Sequence, residues 1–251
     1  MTRLKGIPAI IIFLFFWELL PASGIITPAF LPPPSKVFAT LAKLVISGEL
    51  WVHTSISLQR ALTGFSLAVI TMIPLGFLMG WYRGFAAFSD GLVQTFRQIP
   101  SLALFPVLIL FFGLGETSKI GVIFWGAQWP ILLNTISGVK SVDPLLIKSA
   151  RSLGASGVDL FRKVILPSSL PSIITGFRLS ATNSILVLIS AEMIGANSGL
   201  GFLMINSQFN FLISIMYAAI VALVLLGLIT NYSLVWLEKS TTRWKEELTK
   251  K

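Results

Sequence analysis

Apolar residues run through this chain in long blocks rather than in short alternations. Crossing roughly 30 Å of hydrocarbon at 1.5 Å per residue takes about 20 apolar residues. Six stretches approach that length: residues 7 to 23, 61 to 81, 99 to 114, 120 to 139, 176 to 196 and 212 to 236. Pro100 and Pro106 interrupt the third, which a bundled helix tolerates when neighbours satisfy the freed carbonyls. The pattern predicts an all-α fold: a polytopic transmembrane bundle of about six spanning helices, one domain over residues 1–251.

Between the first two blocks, Pro32, Pro33 and Pro34 stop any preceding helix, and Ser35 is placed to cap the next. Val37, Leu41, Leu44 and Val45 then fall at helical spacing, with Lys36 and Lys43 as surface charges. This predicts an amphipathic helix at the outer face, packed against the bundle.

The stretch from Ser149 to Ser180 is the polar exception, holding four of the nineteen cationic residues. Asp143 is suited to cap a helix starting at Pro144. "LLIKSARSLGA" and "VDLFRKVIL" alternate apolar and basic positions around Gly154 and Gly157, and "LPSSLPS" is expected to break the chain twice. The reading is helix, tight turn, helix, proline stop, in a loop near residues 140–175. Gly154 turns the backbone without a Cβ, and Ala150, Ala155 and Ser156 leave room for close approach. Leu153, Val158 and Phe161 are candidate apolar anchors, and Arg151, Arg162 and Lys163 a charged rim. Such a knob suits a membrane protein gripped by a soluble partner.

With 55% hydrophobic and 12% charged residues and a mean hydropathy of +0.86, the chain is read as an integral membrane protein. The absence of cysteine excludes disulfides and thiolate chemistry, and His53 alone offers no metal cluster. The net charge of +9 is explained by topology. With the N-terminus inside, Lys36, Lys43, Arg60 and Lys119 lie outside and the other fifteen cations, among them Arg3, Lys5, Arg151, Lys250 and Lys251, lie inside. They are spread over separate short loops, which argues against nucleic acid as a partner. The first 24 residues have the basic start and apolar middle of a secretory signal, but are read as a retained helix.

No G-x-x-x-x-G-K-[ST] phosphate loop occurs; "GLGETSK" has the wrong spacing. No catalytic residue and no metal site are expected in the chain. Glu18, Arg178 and Glu192 are its candidates for charges within the membrane. Glu192, followed by Gly195, Gly199 and Gly201, has two readings: part of an outer gate, or an interfacial carboxylate capped by backbone amides. Gln128, Asn134 and Asn183 are placed either to bind a polar solute or to bond between helices. The spacings Gly76 to Gly80 and Gly195 to Gly199 suggest close helix contacts.

From Lys148 to Pro167 the chain resembles the EAA loop of ABC-importer permeases: Glu-Ala-Ala, three residues, Gly, nine residues, then Ile-x-Leu-Pro. The matching positions are Lys148, Ser149, Ala150, Gly154, Val164, Leu166 and Pro167, with lysine where the family has an acid. The resemblance covers nearly the whole chain. "FLPPPSKVF", "FGLGETSKI", "PILLNTISGVKSVDP" and "SAEMIGANSGLGFLM" are similar to the branch for aliphatic sulfonates, taurine and nitrate. It implies a type I importer permease fold and a homodimer enclosing the solute pathway. It further implies two cytoplasmic ATPase subunits that bind ATP and Mg, an extracytoplasmic solute-binding protein, and a bacterial inner-membrane location with both termini cytoplasmic. Ser149 to Asp159 would then hold the ATPase-coupling helix, with Phe161, Leu166 and Pro167 following it. A self-sufficient secondary transporter or channel is the alternative, against which the scarcity of buried charge counts. The solute stays open among sulfonates, taurine, nitrate, bicarbonate and vitamin precursors.

Overall fold

The computed structural model describes residues 7–24 and 26–249; Arg3, Lys5, Lys250 and Lys251, which the charge reading placed inside, lie outside the described residues. All regular structure among the described residues is helical. In chain order it comprises α1 (Ile7–Ala22), α2 (Pro34–Ile46), α3 (Glu49–Trp81), α4 (Arg83–Phe96), α5 (Ser101–Phe112) and α6 (Glu116–Lys140). These are followed by α7 (Pro144–Ser152), α8 (Gly157–Leu160), a π turn (Phe161–Ile165), α9 (Leu166–Gly195), α10 (Leu200–Phe209) and α11 (Ile213–Thr249).

Among the described residues four helical stretches are long and apolar enough to cross a membrane: Glu49–Trp81, Glu116–Lys140, Gly157–Gly195 and Ile213–Trp236. The expected span at 99 to 114 is instead one limb of a broken pair, α4 with α5, bent by 94°. The break falls at residues 97–100, not at Pro106. α4 ends at Phe96 with Arg97 as its C-cap, and α5 starts behind Pro100 as its N-cap; the residue before a proline is pushed out of the helical region, which keeps Ile99 between the two helices. The 16 described residues of α1 span about 24 Å, less than the roughly 30 Å of a full crossing.

Two further expectations are corrected. Ser35 does not cap α2: it is the second helical residue, behind Pro33 and Pro34. The cap comes from α1, where the Glu18 carboxylate accepts from Ser35 N at 3.1 Å and from Ser35 Oγ at 2.7 Å. Nor do Pro167 and Pro171 break the chain, which is helical from Gly157 to Gly195. A proline ring clashes with the carbonyl four residues earlier, for Pro167 that of Lys163. That carbonyl lies in the π turn, whose wider winding makes room for the ring.

The chain divides into two compact units, Met1–Leu58 with Glu192–Leu226, and Gln59–Ala191 with Gly227–Lys251. In the first, Trp17 of α1 packs on Tyr217 with ring centroids 5.8 Å apart, and Val37 and Leu44 give α2 its buried stripe.

In the second unit α6 lies between α3 and α9. A Cβ on Gly64, Gly76 or Gly80 would meet Ile123, Thr135 or Val139 respectively, each at 2.6 Å. Both sets advance together along the sequence, so α3 and α6 run parallel in near backbone contact. On the opposite side Gly126 faces Asn183 and Val187, Gly176 faces Asn134, and Gly138 faces Ser169 and Ser172, so α9 runs antiparallel to α6.

Candidate functional site

The polar loop is built by local rules. Asp143 Oδ1 accepts from Leu145 N at 2.8 Å and caps α7, with Pro144 as its first helical residue. The helix ends in a Schellman motif: Gly154 N donates to Arg151 O and Ala155 N to Ala150 O, both at 3.0 Å. That geometry puts Gly154 at φ +79°, in the left-handed region. Ser156 then caps α8, its hydroxyl accepting from Asp159 N at 3.1 Å while donating to Asp159 Oδ2 at 2.8 Å.

The loop has an inner and an outer side. Leu160 and Ile165 are buried with Val139 of α6, and Phe77 and Trp81 of α3 pack on this cluster together with Ala150. Phe161 stands edge-on to Phe77, ring centroids 5.0 Å apart. Leu153 and Val158 point away, 88% and 68% exposed. Ser149, Arg151, Gly154, Ser156 and Pro167 are exposed, and Leu166 is half-buried. Lys163 pairs with Asp159 at 2.8 Å.

A second constellation surrounds Glu192, which is fully buried. Its carboxylate accepts from Ser57 Oγ at 2.8 Å and Gly201 N at 2.9 Å. The same hydroxyl accepts from Leu200 N at 2.9 Å, and His53 Nδ1 accepts from Gly199 N at 3.0 Å. The leading amides of α10, which no helix satisfies internally, are thus met by three side chains. Periodicity gave no signal for His53 and Ser57 as partners, since both sit more than 140 residues before the amides they meet.

The other candidate pathway residues divide. Pro130 has no N–H, which leaves the Gly126 carbonyl without its partner in α6; Asn183 Nδ2 of α9 donates to it at 2.6 Å. Asn134 donates within its own helix to Pro130 O at 2.8 Å. Gln128 is buried, 5% exposed. Asn183→Leu is expected to lower stability by about 1 kcal/mol, seen as a lower melting temperature in detergent, with transport per folded molecule unchanged.

Two ion-pair groups were not anticipated. Arg60 and Lys119, both buried, converge on the half-exposed Glu116, Arg60 with two bonds of 2.6 and 2.7 Å and Lys119 with one of 3.0 Å. The i, i+3 spacing of Glu116 and Lys119 was the one local clue. Arg178 pairs with Glu238 of α11 at 2.9 Å.

Four long apolar helices and a buttressed polar loop are the build of a chain that spans a membrane. Over residues 72–243 the chain matches the binding-protein-dependent transport system inner membrane components, and it belongs to that family. It is 40% identical over 228 residues to the putative aliphatic sulfonates transport permease protein SsuC of Escherichia coli (strain K12), covering 91% of this chain and 87% of that one. To the taurine transport system permease protein TauC of the same organism it is 34% identical over 249 residues, covering 97% and 90%. An inward-facing structure of the MetNI methionine ABC transporter is similar in fold, with a TM-score of 0.64 at 21% identity over 81% of this chain and 98% of that one. The chain is therefore the inner-membrane permease component of a binding-protein-dependent ABC importer.

Proposed function

We propose that this permease carries a small organosulfonate such as taurine, as one of two identical subunits that enclose the pathway. ATP and Mg are bound and the ATP hydrolysed on two cytoplasmic ABC ATPase subunits, and an extracytoplasmic solute-binding protein delivers the solute. The chain acts as a single permease domain in a bacterial inner membrane with both termini cytoplasmic. Its loop near residues 140–175, with Ser149 to Asp159 at the centre, is the ATPase-coupling segment. Similarity to the sulfonate and taurine permeases supports the solute class. Gln128, a polar side chain buried in α6, is the residue we place on the pathway.

The observation that carries the coupling role is the two-sided build of the loop. Leu153 and Val158 offer exposed apolar anchors, while Leu160 and Ile165 root the same segment under α3 and α6. A push on Val158 passes into α9 through unbroken helix, because the chain is helical from Gly157 to Gly195. A packed interior transmits such strain rather than absorbing it.

The test is reconstitution in liposomes with the ATPase subunits and the binding protein. Taurine-stimulated ATP hydrolysis is expected from the unaltered chain and its loss from Leu153→Asp, at an unchanged melting temperature. Full stimulation in Leu153→Asp would refute the coupling role. Absence of stimulation by taurine, with stimulation by nitrate or bicarbonate, would refute the solute.

A further inference from the structure

Beside the loop, within the second unit, lies a groove of about 680 Å³, inside the range of roughly 300 to 1,000 Å³ common to small-ligand sites. One wall is the end of α3: Pro74, Phe77 and Leu78, then Trp81 and Tyr82. The other is the loop, with Val158 and Phe161 on its apolar flank and Arg151 at its rim. Along this wall the chemistry changes in order, from aliphatic and phenyl groups to Trp and Tyr, the residues that settle at the membrane–water boundary. Arg151 adds a cation to the same groove. No carboxylate lines the groove, and Arg151 has no ion pair among the described residues. The loop's own acid, Asp159, is held by Lys163 and Ser156.

We propose that this groove seats one anionic phospholipid, an acyl chain along Pro74, Phe77 and Leu78 and the phosphate against Arg151. Charge complementarity decides for an anionic headgroup: the groove presents a cation and no compensating acid, while the lining residues Pro74, Phe77 and Leu78 are apolar. The gradient from hydrocarbon to aromatic to guanidinium is that of a lipid read from tail to headgroup. The groove shares Arg151 and Val158 with the proposed coupling segment, so competition with the ATPase is one of the outcomes tested below.

Native mass spectrometry of the detergent-purified chain titrated with phosphatidylglycerol or phosphatidylcholine tests it. One phosphatidylglycerol per chain is expected, bound roughly fivefold tighter than phosphatidylcholine, the factor contributed by one basic residue near an anionic surface. Arg151→Gln is expected to remove this preference and Arg151→Lys to keep it. Leu78→Trp, at an exposed position, is expected to fill the groove and weaken both lipids. Equal affinity for the two lipids in the unaltered chain, or unchanged binding in Leu78→Trp, overturns the proposal. Displacement of the lipid by added ATPase also overturns it, by assigning the groove to that partner.

Discussion

Glu192→Ala is expected to melt well below the unaltered chain in detergent and to expose residues 196–212 to protease. The change leaves the Ser57 hydroxyl and the Gly201 amide without their acceptor in a fully buried place. Each stranded donor costs about 1 to 3 kcal/mol, and with the void left by the side chain the loss is expected to reach roughly 3 to 5 kcal/mol. Glu192→Gln keeps the size and one acceptor and is expected to lose about half as much. Equal losses in the two variants would show that charge, not hydrogen bonding, holds the start of α10. Gly199→Ala reaches the same network from the other side. Gly199 has φ +111°, and a Cβ there would lie 2.2 Å from Glu192 Oε1. In a Glu192→Ala background the Gly199→Ala substitution is expected to cost less than alone, the non-additivity that marks direct contact.

The second large effect is expected where α3 meets α6. Gly76→Val would place a Cβ 2.6 Å from Thr135 Cβ and 3.3 Å from Leu132 O, in an interior with no slack to yield. Overpacking of this kind costs roughly 1 to 3 kcal/mol, and the two further β-branched carbons place Gly76→Val at about the upper end. Gly84→Ala in α4 is the control, since a Cβ there meets nothing within 4 Å. It is expected to leave stability unchanged or raise it by up to about 1 kcal/mol. Thermal unfolding of the two variants side by side separates close approach from helix propensity. If Gly76→Val melts like Gly84→Ala, the parallel packing of α3 on α6 is wrong.

The Glu192 group fixes the segment leading into α10, and the glycine seam ties α3 to α6, on which the loop's Leu160 and Ile165 rest.

What the sequence determined by itself were features that depend on neighbours within one or two turns. Apolar blocks marked α3, α6, α9 and α11, because crossing hydrocarbon is a matter of length and composition. The Asp143 and Pro144 start of α7 and the Gly154 turn were legible because a cap or a left-handed residue is specified by the few residues beside it. Tertiary structure decided the rest. The bridging of Gly126 O by Asn183 and the pairing of Arg60 with Glu116 join groups on different helices. So do the three side chains that satisfy the leading amides of α10. Their meeting is set by how closely glycine-lined helices approach and in which direction they run, which no local period of the chain encodes.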